Sequence, residues 1–190
     1  MKIGIDFDGV IMDTERHLKF AAEYWSTTVL NKPLVNFNEV SLEARFNWTE
    51  EESKRFFSEE YDNAVKDCYF MPGANEILKL LSDMGHKFYL ITLRGCFRKQ
   101  EITLTKKALK KLSIKPELIV WGERNKAQKC EELGLDMMID DNPLNVEQFK
   151  DSKVQVLYLR DQGVKELKMK NVTTVYNWME IYREILKRSK

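Results

Sequence analysis

The chain is poor in the residues that disulfide frameworks and soft metal sites require: three cysteines and two histidines among 190 residues. Cys68, Cys96 and Cys130 lie far apart with no paired spacing. That argues against a disulfide scaffold or a zinc site and for free thiols in a reducing compartment, so a cytoplasmic protein is expected. His17 and His86 stand alone and are not placed like ligands. An excess of one charge is missing too. Thirty-one basic against thirty acidic residues leave a net charge of +1, without the basic surplus that a nucleic-acid polymer or an anionic membrane selects. No apolar run approaches the roughly 18 residues of a membrane span, and the first residues lead straight into a strand pattern rather than a leader peptide. Internal repeats and low-complexity tracts are absent. What remains, 43% hydrophobic and 32% charged, is a globular chain long enough for one full domain with a small insertion.

Its organisation is read from periodicity. Lys2–Phe7 alternates like a strand. Leu18, Ala21, Ala22 and Trp25 then recur at helical spacing, with Asp13 or Thr14 as the N-cap. "NKPLVNFNE" reads as loop, and 48–70 as helix, where Thr49 and Glu52 form a capping box and Phe56, Phe57 and Tyr61 share a side. After "MPG" the alternation is regular. Helices are expected over 73–85, 97–112, 125–134, 143–151 and 177–190, with Gly85 in a C-terminal turn and Pro143 at a first helical position. Strands are expected over 86–94, 116–122, 135–141, 154–161 and 172–176. Strands separated by such helices imply an α/β fold, a parallel sheet with helices on both faces. Residues 14–70 interrupt the pattern as an all-helical insert.

The strand "KIGIDFDG" carries Asp6 and Asp8 at its far end. Residues two apart on a strand point the same way, so two like charges face one spot and call for a cation or a proton. In parallel α/β sheets ligands gather beyond the carboxyl ends of the strands. Those ends deliver Asp6, Asp8, Thr92, Asp140 and Asp141, and Lys126 opens a helix, where a basic residue does nothing for the helix dipole. With no histidine or cysteine among them, an all-oxygen set suits a hard cation such as Mg²⁺.

In order and spacing, "DFDGV", "ITLR", Lys126 and "IDD" resemble the four motifs of the haloacid dehalogenase (HAD) superfamily of phosphotransferases. "NKAQKCEELGLDMMIDDNPLN" and the small helical insert most resemble its 5'(3')-deoxyribonucleotidase-like and nucleotidase group. The resemblance implies a Rossmann-like HAD core over 1–13 and 71–190 and a small helical cap over 14–70. It implies Asp6 as the nucleophile that forms an aspartyl-phosphate, and Asp8 as general acid and then base. The implied Mg²⁺ ligands are Asp6, the backbone carbonyl of Asp8, and Asp140, with Asp141 binding through water or orienting that shell. Thr92 and Lys126 would hold the phosphoryl oxygens, and Gly9 would let the backbone turn closely past the phosphate. The implied partner is a small phosphomonoester, a (deoxy)nucleoside monophosphate first and a sugar phosphate or another small phosphometabolite second. A non-catalytic HAD-like binding module is the third reading, and a homo-oligomer stays open. "LRDQGVKELKMKN" departs from the nucleotidase pattern, lacking the Pro- and Asn-containing run expected there.

Plainer readings stand beside these. Asp13 can simply cap a helix, Thr92 can be an ordinary β-branched strand residue, and Lys129 competes with Lys126. Arg94 can touch substrate or form a surface ion pair. The insert holds 11 of the 21 aromatic residues in 57 of the 190 positions, about twice an even share. Most are expected to pack a small core, and Phe46 and Trp48 are candidates to stack on a base.

Overall fold

The computed structural model describes residues 1–96, 98–161 and 163–189. Phe97 and Lys190, the outer ends of two expected helices, and Gln162 of the departing segment lie outside the described residues. Six strands form one sheet: β1 (Lys2–Ile5), β2 (Lys87–Ile91), β3 (Leu118–Val120), β4 (Met137–Asp140), β5 (Gln155–Leu159) and β6 (Val172–Val175). Their order is β3-β2-β1-β4-β5-β6, and every neighbouring pair is parallel. The expected α/β architecture is therefore what the chain adopts.

Burial on both faces explains why the inner strands β1, β2, β4 and β5 read as largely apolar runs. In β4, Met137 and Ile139 face one core while Met138 faces the other; in β5, Leu157 and Leu159 oppose Val156 and Tyr158 in the same way. One core is closed by α5 (Ala74–Asp83) and α9 (Trp178–Arg188), through Ile77, Leu78, Leu81, Trp178, Ile181 and Ile185. The opposite core is closed by α7 (Lys126–Glu132) and α8 (Pro143–Glu147), through Ala127, Cys130 and Val146. The last helix of the core, α6 (Lys99–Leu109), follows β2.

Between β1 and α5 the chain forms α1 (Thr14–Thr28), α2 (Leu42–Phe46), α3 (Glu50–Glu59) and α4 (Tyr61–Lys66). Their core is separate and built on Ala22, Trp25, Leu42, Phe46, Trp48 and Phe56. The capping box forms as read: Thr49 Oγ1 accepts from the Glu52 N–H, and the Glu52 carboxylate accepts from the Thr49 N–H. The single helix expected over 48–70 is instead two, interrupted at Glu60. Helix α2 lies in a stretch where no helix was expected, and five residues carry too little periodicity to reveal it. Asp13 occupies the N-cap position of α1 without capping it; its carboxylate pairs with Arg16 at 3.3 Å.

Phe46 and Trp48 are not available to stack on a base. Both are buried, with ring centroids 5.2 Å apart, and the Trp48 indole N–H donates to Ser26 Oγ at 3.0 Å.

Candidate active site

Strand β1 ends at Ile5, so Asp6 and Asp8 sit on the turn just beyond it. Asp6 keeps the parity of Gly4, and Asp140 that of Met138; Gly4 and Met138 both face α7. A Cβ on Gly4 would press on Met138 Sδ at 2.8 Å and Leu135 Cδ1 at 3.1 Å, so glycine there lets that side of the sheet close up. Lys126, the first residue of α7, consequently reaches both acids. Its ammonium lies 2.7 Å from Asp6 Oδ2 and 2.7 Å from Asp140 Oδ2, with only 1% of the side chain exposed. An unpaired ammonium in such a place would be far too costly, and the two carboxylates offset that cost. They also hold the Lys126 pKa up against the burial that would lower it.

Asp140 is itself fixed by the Asn142 N–H at 2.9 Å and the Asn145 amide at 3.1 Å, both to Oδ1. Burial pushes the Asp6 carboxyl up to about 7; Lys126 opposes this, while Asp140 and Asp8 add to it. Asp141 is pushed the same way by burial, then by Glu15, Asp140 and Asp6. Oxygens of Asp6, Asp140 and Asp141 lie within 4.8 Å of one another. Three converging carboxylates, two of them raised by mutual repulsion and burial, form a donor set that fits a hard divalent cation.

Gly9 stands where the turn passes Asp141. Its φ is +67°, and a Cβ at that position would overlap the Asp141 carboxylate. Asp6, Asp8, Gly9 and Asp141 share a cavity of about 520 Å³ with Glu15 and Leu18 of α1, and with Phe57 and Tyr61 of α3 and α4. Helices α1, α3 and α4 thus form one wall of it and the strand ends form the other.

The remaining expected residues fall in different places. Thr92 is fully buried, and its hydroxyl accepts the Arg94 N–H at 3.2 Å rather than lining the cavity. Lys129 points away and pairs with Glu132 on the surface of α7. Arg94 forms an ion pair, but a buried one: its guanidinium holds both carboxylate oxygens of Asp8. Sequence reasoning missed Glu15. An acid in the first turn of a helix is already explained by the helix dipole, and only the folded chain sets it beside Asp141. Burial raises the Glu15 pKa, with Lys19 opposing and Asp8 adding to the rise.

The family model for 5' nucleotidase, deoxy (Pyrimidine), cytosolic type C proteins matches residues 1–190. A nucleotidase of Clostridium acetobutylicum is 22% identical over 184 residues, covering 96% of this chain and 92% of that protein. A haloacid dehalogenase-like hydrolase of Streptococcus pneumoniae has a similar fold, with a TM-score of 0.68 at 15% identity and 97% of each chain covered. A HAD-superfamily hydrolase of Geobacter sulfurreducens superposes with a TM-score of 0.61 at 15% identity, covering 98% of each chain.

Proposed function

The chain belongs to the family of 5' nucleotidase, deoxy (pyrimidine), cytosolic type C proteins, and on that premise we propose that it is a Mg²⁺-dependent phosphomonoester hydrolase acting on (deoxy)nucleoside monophosphates. The observation that carries the reading is the buried ammonium of Lys126 between Asp6 and Asp140, with Asp6 in turn lining a cavity together with Asp8 and Asp141.

In this reading Asp6 attacks phosphorus, forming an aspartyl-phosphate as the bond to the leaving oxygen breaks. Covalent catalysis divides one difficult displacement into two easier ones. Asp8 gives its proton to the leaving oxygen and then takes one from the water that hydrolyses the aspartyl-phosphate. Lys126 gives one N–H to Asp6 and one to Asp140, and of the three an ammonium has to offer the last serves a phosphoryl oxygen. Thr92, fully buried and outside the cavity lining, holds the Arg94 N–H rather than a phosphoryl oxygen. Asp6, Asp140, Asp141 and the Asp8 carbonyl would hold Mg²⁺, which when bound offsets the repulsion between a carboxylate nucleophile and a phosphate dianion. Helices α1–α4 act as a cap that excludes water and meets the leaving group, with Phe57 and Tyr61 as aromatic surfaces within reach of a base.

The test is phosphate release from a panel of nucleotides, sugar phosphates and an aryl phosphate, with and without Mg²⁺. Asp6→Asn is expected to lose turnover on every substrate while keeping its circular dichroism and melting transition. Wild-type turnover by that variant would end the covalent mechanism. Preference for a sugar phosphate over all nucleotides would move the substrate assignment and leave the chemistry standing.

A further inference from the structure

We infer that Arg94 is the positioning residue for the proton-transferring carboxylate, holding Asp8 in the orientation from which it reaches the leaving oxygen. This rests on the reading of Asp8 as the acid in the proposed reaction. Arg94 follows β2 by three residues, and its guanidinium is engaged on every side. Nε donates to Asp8 Oδ2 at 2.8 Å and Nη2 to Asp8 Oδ1 at 2.6 Å. Nη1 donates to Thr105 Oγ1 at 3.0 Å on α6, and the carbon of the guanidinium lies 4.6 Å from the centroid of the Phe7 ring. Thr105 is anchored in turn, since its hydroxyl donates to the Glu101 carbonyl at 2.7 Å.

The burial is asymmetric. The Arg94 side chain is 5% exposed and that of Asp8 27% exposed, and the cavity is lined by Asp8 but not by Arg94. The guanidinium therefore stands behind the carboxylate rather than among the groups that meet substrate. A planar fork of this kind sets the plane of the carboxylate as well as its position. Each carboxylate oxygen has two lone-pair directions, so one on each oxygen is left after the fork is satisfied. From that free edge Asp8 passes its proton to the bridging oxygen as the phosphorus–oxygen bond breaks and the bond to Asp6 forms. The leaving group departs as a neutral alcohol and Asp8 is left as a carboxylate, still gripped by Arg94.

A role in placing the acid has a signature that a structural role lacks. An alkoxide leaving group needs the proton, whereas p-nitrophenolate is stable enough to leave without it. Values of kcat/KM report steps up to the loss of the leaving group, so they isolate this effect from the later hydrolysis of the aspartyl-phosphate. Arg94→Lys keeps the charge and loses the fork. It is expected to lower kcat/KM on a nucleoside 5'-monophosphate by about 10–100-fold, part of the 10²–10⁴ that positioned acids supply, and on p-nitrophenyl phosphate at least tenfold less. Thr105→Val, which removes only the third anchor of the guanidinium, is expected to give the same split in smaller measure, and it keeps the test available if Arg94→Lys does not fold. Asp8→Asn is the reference. If it shows the split and both other variants lose activity equally on the two substrates, the assignment of Arg94 is overturned. If Asp8→Asn itself shows no split, the reading of Asp8 as the acid fails instead.

Discussion

At the scale of single residues, the site is crowded with carboxylates that other residues make tolerable, and the smallest of those residues is Gly9. Its φ of +67° is a left-handed conformation that costs a residue with a side chain about 1–2 kcal/mol. Asp141 also fills the space a Cβ would take. Gly9→Ala is therefore expected to push the Asp141 carboxylate away from Asp6 and Asp140 and to lower kcat by about 10²-fold, the scale of a misplacement near 1 Å. Steady-state kinetics with a crystal structure of the variant checks this; full turnover with Asp141 unmoved would refute it. Asp6, Asp8, Asp140 and Asp141 stood out in the sequence because acids are rare at the ends of apolar strands. Arg94 stood out only as a residue that touches substrate or forms a surface ion pair, and Glu15 not at all, because a strand-end arginine or an acid in a first helical turn has an ordinary explanation until its long-range neighbour is known.

At the scale of elements, side-chain periodicity marked helices and strands well where segments were long. The capping box of α3 and the first-turn proline of α8 were legible because both are local hydrogen-bonding or steric rules. The break at Glu60 was not legible, since nothing local requires it. The aromatic density of 14–70 correctly announced a small separate core, yet not which rings would fill it. Phe56 lies at its centre, fully buried and within 5.1 Å of the Trp48 centroid and 5.6 Å of the Trp25 centroid. Phe56→Ala is expected to cost about 3–5 kcal/mol, read as a lowered urea midpoint for this segment. The sheet core is built from other residues, so the far-ultraviolet signal of α5–α9 and the strands should survive at urea concentrations where α1–α4 have melted.

At the scale of the whole molecule, the crossover from β3 through α7 to β4 carries the chain back across β1 and brings Lys126, Asp6 and Asp140 together. Among the described residues, Lys19–Asp161 at 3.3 Å ties the helical segment to the end of β5 across the cavity, and Arg98–Asp62 at 3.0 Å ties it to the start of α6. The mutual repulsion of the clustered carboxylates is a property of the assembled fold, and a bound cation would relieve it. Mg²⁺ is therefore expected to raise the melting temperature. At a tenfold excess over its dissociation constant, linkage gives about 1.4 kcal/mol, or roughly 3–6 °C for a domain of this size. Differential scanning calorimetry with and without chelator measures it, and Asp140→Asn should blunt the gain. A melting temperature indifferent to Mg²⁺ would argue against the carboxylate cluster as a cation site.

By itself the sequence determined the alternation of strands and helices, the fold class and the set of acids at the strand ends, because these depend on burial periodicity and on local backbone rules. Only the tertiary structure decided which cation each acid meets: Lys126 between Asp6 and Asp140, and Arg94 behind Asp8 rather than out in solvent. The partners in those pairs are 14 to 120 residues apart in the chain. No short-range pattern encodes such distances, and only the packing of the parallel sheet brings the charges close enough for burial to demand that they pair.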